Sequence, residues 1–241
     1  MEPIDLREKG GIRAGEPQTS DRRLFMQLLA FGGGNTDNCN TATLSRALDD
    51  SGLEAVLYED VNDPRGVALL TWSDDPDFFI TKLRPFLRQS PFQSLTLKPE
   101  YTMMGRTYAL GHEPNLEDWL LDRSPRSVTD PAWTWHIWYP RRRKGEFTSL
   151  PPEEQTAILR EHGSIGHAFG TGGFALDVRL ACFGMDAHDN DFVIGLVGRE
   201  LHPLSACVQA MRKTKQTSFY MQEMGPFFIG KAVWQKRIER T

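Results

Sequence analysis

The chain repeats one order of elements twice, and that repetition limits its fold more than any other feature. The first half reads as strand 24–31, helix 41–50, strands 54–60 and 67–72, helix 77–88 and strand 101–110. The second half reads as strand 133–139, helix 153–162, strands 174–183 and 192–197, helix 203–212 and strand 227–233. Short echoes fall in the same order: Val67-Ala68-Leu69-Leu70 resembles Val193-Ile194-Gly195-Leu196, and Met104-Gly105 resembles Met224-Gly225. Two βαββαβ units predict an α+β fold of paired ferredoxin-like repeats, with sheets curving toward each other and helices outside. The limits that follow are a flexible arm over 1–22, a first repeat over 23–121, a linker over 122–131 and a second repeat over 132–241.

The punctuation agrees with this layout. Gly32-Gly33-Gly34-Asn35 stops the first strand, and since no Gly-Lys-Ser/Thr follows, it reads as a plain loop rather than a phosphate cradle. Asn62-Asp63-Pro64-Arg65-Gly66 is a turn between two paired strands, Pro85 should kink or shorten its helix, and a further short helix is expected over 116–121. The first 20 residues are polar, Gly-rich and without periodicity, which predicts a mobile or loosely draped segment. With 28 basic and 32 acidic side chains the net charge is -4, so no general affinity for nucleic acid is expected. No segment reaches the apolar length of a membrane span, and Cys39, Cys182 and Cys207 lack metal or disulfide spacing. A cytoplasmic protein with reduced thiols is the expectation.

Chemistry concentrates between residues 133 and 183. Period-two alternation puts Trp133, Trp135, Ile137 and Tyr139 on one strand face and Thr134, His136 and Trp138 on the other. A basic turn, Arg141-Arg142-Arg143-Lys144, follows; it is either a solvated loop or a site for carboxylates in forked geometry, such as the propionates of a haem-type porphyrin. The next helix starts at Pro151-Pro152 with Glu153-Glu154 at its positive end. Ile158 and His162 share its buried face just before Gly163, which is expected to end it. His162 is then a structural histidine or one that reaches a planar cofactor. In the strand over 174–183, Phe174, Leu176, Val178, Leu180 and Cys182 form an apolar face predicted to pack under helices. Ala175, Asp177, Arg179, Ala181 and Phe183 form a mixed face predicted to look into a cavity between the sheets. There Asp177 and Arg179 make an internal ion pair or serve a ligand.

The succession Tyr139-Pro140 with its basic residues, Leu150-Pro151-Pro152-Glu153-Glu154, Glu161-His162-Gly163-Ser164-Ile165-Gly166, Met211-Arg212 and Gly225-Pro226-Phe227-Phe228-Ile229-Gly230 resembles the chlorite dismutase superfamily. It looks closest to the coproheme decarboxylase branch. The resemblance implies a dimeric α+β barrel, with two ferredoxin-like repeats in one chain and haem held by the second. By position it implies His162 as the iron ligand and Tyr139 as the tyrosine that forms a radical near a propionate. Arg141 and Arg143 would be propionate-side cations, Arg143 falling where that branch has a lysine, with Arg212 a further one and Thr217 or Ser218 a nearby hydroxyl. The implied reaction converts iron-coproporphyrin III to haem b with hydrogen peroxide, in an oligomer that is often a pentamer.

Ala175, Asp177 and Arg179 all lie on the strand face where the residue opposite the iron ligand would sit, and the choice among them stays open. Arg179 would suit a chlorite- or peroxide-degrading enzyme built on haem b. A haem-binding protein without turnover is the third reading. Among the other histidines, His167 competes with His162 if the helix ends elsewhere.

Overall fold

The computed structural model describes residues 3–34 and 39–238; Asn35, the last residue of the predicted glycine loop, lies outside them, as do the outermost residues of the predicted arm and second repeat. In chain order the principal elements are β1 (Glu8–Arg13), β2 (Glu16–Ser20), β3 (Phe25–Gly32), α1 (Thr41–Ser51), β4 (Ala55–Asp60), β5 (Val67–Ser73), α2 (Arg84–Leu87), β6 (Thr96–Leu97), β7 (Met103–Arg106) and α3 (Arg123–Val128). They continue as β8 (Trp135–Arg143), α4 (Pro152–Thr171), β9 (Leu176–Ala181), β10 (Phe192–Gly198), α5 (Leu201–Met211), α6 (Lys215–Tyr220), β11 (Met221–Met224) and β12 (Phe228–Lys236).

The first sheet runs β7-β3-β5-β4 and the second β12-β8-β10-β9, all antiparallel. Each is the fourth-first-third-second order of a ferredoxin-like unit, so the α+β expectation of two such repeats holds. The sheets join along β4 and β12, from Gly230↔Asp60 to Lys236↔Ala55, and touch at Arg106↔Ala181 between β7 and β9, which closes a barrel.

Strand alternation sorts the apolar side chains into layers. Met26, Leu28, Val56, Tyr58, Ala68, Leu70, Trp138, Val178, Leu180 and Phe228 fill the barrel as one buried cluster drawn from both halves. Their sequence neighbours Leu57, Val67 and Leu69 pack instead under α1 and the helical segment containing Phe79 and Leu83, while Ile137, Tyr139, Ile194 and Leu196 pack with Leu204 and Cys207 of α5. Burying such side chains gives roughly 1.5–3 kcal/mol each relative to exposure. Gly195 of β10 lies opposite Trp138 of β8, and a Cβ there would come 2.5 Å from the indole, so the glycine makes room for the ring.

Several expectations are corrected. Residues 8–20 form the β1–β2 hairpin rather than a loosely draped arm. Their polar sequence shows no apolar periodicity because hydrogen bonds hold the hairpin: the Gln18 amide donates to the Gly11 and Glu113 carbonyls and accepts from Leu116 N–H, while Glu8 pairs with Arg106 at 2.9 Å. Much of the predicted linker is helical, a π-turn at Asp118–Asp122 running into α3. A similar π-turn, Phe79–Leu83, precedes Pro85, where the missing N–H interrupts the regular ladder.

Three corrections bear on function. Arg141 to Arg143 are not a turn but the end of β8, whose pairing with β11 (Met221↔Arg143, Met224↔Arg141) carries the strand onward. The helix does not end at Gly163: α4 continues to Thr171, so His162 sits mid-helix. The faces of β9 are the reverse of those predicted. Val178, Leu180 and Cys182 point into the barrel, which is filled with apolar side chains, and Ala175 joins the cluster under α5. A strand with mixed chemistry on one face can put that face beneath helices when the opposite sheet supplies a largely apolar interior.

Candidate functional site

The candidate site lies between the outer face of the second sheet and helices α4, α5 and α6. Because β8 runs straight through Arg143, alternation puts Tyr139, Arg141 and Arg143 on its outer face and sends Arg142 elsewhere, where it donates to the His188 and Asp189 carbonyls. Arg143 N–H donates to Asp191, and its guanidinium stacks 4.4 Å from the Phe147 ring and 5.1 Å from Phe192.

His162 projects from α4 onto these cations. Its Nδ1 is 3.1 Å from Thr214 Oγ1, and its Nε2 is 3.3 Å from Arg141 Nη1. The Thr214 hydroxyl donates to the Met211 carbonyl at 2.8 Å, which leaves it to accept from Nδ1–H. That assigns the proton to Nδ1 and leaves Nε2 as a bare lone pair facing the arginine. Burial, then Arg141, Arg143 and Arg179, pushes the His162 pKa down to about 3, so the ring is neutral at ordinary pH. Gly166 lets α4 approach α5, since a Cβ there would meet Met211 at 3.3 Å, and Glu161 accepts from Lys215 N–H at the start of α6. His167 is exposed and lies about 140° around the helix from His162, so the two cannot exchange places.

Tyr139 is 3% exposed and stacks on Phe227, rings 4.5 Å apart and 18° from parallel; Arg212, exposed at the end of α5, lies 6.0 Å from the centre of the same phenyl ring. Burial raises the Tyr139 pKa to about 12, against the lowering by Arg141. Thr217 lies 3.3 Å from Thr214, and the exposed Ser218 hydroxyl donates to the Thr214 carbonyl.

Asp177 and Arg179 face the same side as His162 and contribute to its electrostatics, while Ala175 packs with Leu204 and Cys207. Asp177 is held from two sides. Arg123 of α3 donates to its carbonyl at 2.8 Å and to Oδ1 at 3.0 Å, and Arg179 Nε lies 2.8 Å from Oδ2, out of line for a hydrogen bond. Both guanidiniums lie over the Trp119 ring. Although burial alone would raise the Asp177 pKa, Arg179 and Arg123 bring it below the usual carboxylate value. Tyr108, whose pKa burial raises, feels Arg179, Arg141 and Arg143 as well.

Sequence reasoning therefore missed Thr214, Phe227, Trp119, Arg123 and Tyr108. Tyr108 and Trp119 come from the first repeat and Arg123 from the linker, so no pattern within the second repeat could have named them. Trp119 and Arg123 are four apart on one helical run, which was the available signal.

Guanidiniums outnumber carboxylates here. The Nε–H groups of Arg141 and Arg143 are buried without a hydrogen-bond partner, and such an N–H costs about 1–3 kcal/mol unless an acceptor meets it. The arrangement can hold a ligand carrying several negative charges against a neutral imidazole. Among the described residues no three of His, Cys, Asp or Glu cluster to bind a bare metal ion, and no helix is long and apolar enough to cross a membrane.

Comparison with known proteins agrees with this fold. A novel heme-binding protein from Thermus thermophilus superposes with a TM-score of 0.66 at 19% identity, over 88% of this chain and 91% of that one. The chlorite dismutase of Candidatus Nitrospira defluvii in complex with imidazole gives 0.67 at 14% identity, over 88% and 92%. No curated protein sequence matches. The sequence model described as chlorite dismutase matches residues 81–233, more than half the length and all of the second sheet up to Val233, and the chain belongs to the chlorite dismutase family.

Proposed function

We propose that the protein binds an iron porphyrin through His162 Nε2 and acts as a peroxide-dependent coproheme decarboxylase, converting iron-coproporphyrin III to haem b. The observation that carries the reading is the pairing of a neutral imidazole, bare at Nε2, with Arg141 and Arg143, whose buried Nε–H groups lack acceptors. Those residues fit an iron porphyrin: the imidazole offers one ligand and the guanidiniums offer forked donors to propionates. Family membership and the fold shared with the Thermus heme-binding protein support the same class.

An iron porphyrin held by His162 and the guanidiniums would supply the chemistry by which hydrogen peroxide acts as a one-electron oxidant. The chain's own residues supply the rest. Arg141 turns from Nε2 to a propionate, Arg143 and Arg212 hold further carboxylates, and Thr214 keeps the imidazole in its Nδ1–H form. Tyr139 would give its phenolic hydrogen, as an electron and a proton, to the oxidant that peroxide generates and, as a phenoxyl, take a hydrogen atom from the β-carbon of a propionate; the radical left there would yield a second electron to the same oxidant as carbon dioxide leaves. Each propionate that becomes a vinyl group consumes one peroxide and one proton and releases carbon dioxide and two waters. Phe227 excludes water from the phenol by stacking on it. Asp177 and Arg179 line the same face, where they orient the peroxide.

Reconstitution with coproheme, titration with peroxide and mass spectrometry of the porphyrin test the reading. Stepwise loss of two carboxyl groups is expected, and Tyr139→Phe should abolish it while porphyrin binding persists. Binding without decarboxylation would redirect attention to Arg179, whose guanidinium sits ready beside Asp177, and to a chlorite assay with haem b; with no turnover in either, the protein is a haem carrier. No porphyrin binding at all would overturn every form of the proposal.

Thr214→Val tests the imidazole's support. Losing the acceptor for Nδ1–H should weaken iron-porphyrin affinity by about 10–100-fold, the usual effect of removing such a partner, as read from the porphyrin's absorption during titration. Unchanged affinity would show that the hydroxyl does not orient the ring.

A further inference from the structure

The inner face of β8 carries a second arrangement of titratable groups. Tyr58 of β4 and His136 of β8 are both fully buried, and the phenol oxygen lies 2.7 Å from Nδ1. Strand β12 runs between theirs. Gly230 pairs with both Asp60 and His136, and a Cβ there would come 2.8 Å from Tyr58 Cβ and 2.6 Å from the Phe228 ring, so the absent side chain opens the space in which the two meet. His136 Nε2 is 2.9 Å from the Trp133 carbonyl, an acceptor only, so Nε2 carries the proton and Nδ1 is a lone pair. Tyr58 must therefore donate. Burial pushes the His136 pKa down to about 4 and the phenol's far up, so the resting pair is neutral tyrosine and neutral imidazole.

A phenol giving a short hydrogen bond to a neutral base, away from water, is the geometry in which oxidation is coupled to proton movement. We propose that Tyr58 and His136 form a redox-active pair that collects oxidising equivalents escaping the outer face of β8 through Trp138. Trp138 follows His136 by two residues on the inner face, is the backbone neighbour of Tyr139, and lies opposite Phe228, whose ring is 5.9 Å from Tyr58. When an indolyl radical cation at Trp138 is reduced, the electron comes from Tyr58 and the phenolic proton moves to His136 Nδ1. The products are indole, a neutral phenoxyl and an imidazolium whose Nε2–H still donates to Trp133. Return of one electron to the phenoxyl sends the proton back. The pair needs only a one-electron oxidant, so it stands apart from the choice of porphyrin substrate.

The test uses the purified porphyrin-free chain and azide radicals made by pulse radiolysis, which oxidise indoles. The indolyl absorption should decay into phenoxyl absorption at a rate independent of protein concentration and slower in D2O. Tyr58→Phe, with its fold checked by circular dichroism, should remove the larger part of the phenoxyl yield, and His136→Gln should slow its appearance, because an amide accepts the hydrogen bond but not the proton. An unchanged yield in Tyr58→Phe, or no solvent isotope effect, would overturn the proposal. If His136→Gln does not fold, those two measurements decide it without that variant. A pair that is merely structural would alter stability and leave the radical kinetics alone.

Discussion

Replacing His162 with alanine is expected to lower affinity for iron porphyrin by more than about a hundredfold, since loss of a mere supporting partner already costs about 10–100-fold. The fold should survive. His162 is half-buried and meets Thr214 and Arg141 through its ring nitrogens, while Ile158 one turn earlier on the same face keeps the buried apolar contact of α4, so little packing is lost. The titration should be run against the wild type with coproheme and with haem b, then repeated with free imidazole. Imidazole entering the space should restore much of the affinity, because Thr214 remains to accept from one nitrogen and leaves the other to bind the iron. Unchanged affinity in His162→Ala would remove the ligand assignment, and the exposed His167 is too far around the helix to take its place.

Gly195→Ala should destabilise the protein by about 3 kcal/mol, at the upper end of what overpacking costs. The added Cβ would sit 2.5, 2.6 and 2.9 Å from three atoms of the Trp138 ring, which is fully buried and has nowhere to move. For a chain of this size that corresponds to roughly 10 °C in the thermal midpoint, read by circular dichroism. Gly163→Ala is the contrast. Nothing lies within 4 Å of a Cβ there and the residue is mid-helix, so the variant should gain up to about 1 kcal/mol. Equal effects at both positions would mean that the indole does not set the spacing between β8 and β10.

The two glycines also show how far local reading reaches. Val193-Ile194-Gly195-Leu196 and Val67-Ala68-Leu69-Leu70 echo each other because both are third strands of a repeat, β10 and β5. The echo of Met104-Gly105 with Met224-Gly225 has no such basis. Gly105 lies within β7, where a Cβ would come 2.8 Å from Leu180, whereas Gly225 turns the chain at φ +110° before β12. One similarity of letters reflects equivalent positions and the other two different demands on the backbone.

Hydrophobic periodicity and turn chemistry determined the order of elements, and with it the α+β class and the two ferredoxin-like units, because strand and helix periods are local properties of the chain. They also put Tyr139 and His162 on chemistry-bearing faces. What lay beyond them was decided by partners distant in sequence. The ends of β8 and α4 depend on β11, α5 and α6, which hold the three arginines in a strand and carry the helix past Gly163. The direction of the Asp177 face depends on the first sheet, whose apolar interior claims Val178, Leu180 and Cys182 and leaves the charged residues to the helices. Arg123 and Trp119 reach the site only when the barrel closes, and Thr214 only when α5 and α6 pack on α4, since burial, charge neutralisation and hydrogen bonding act through space, and no pattern along one strand can record them.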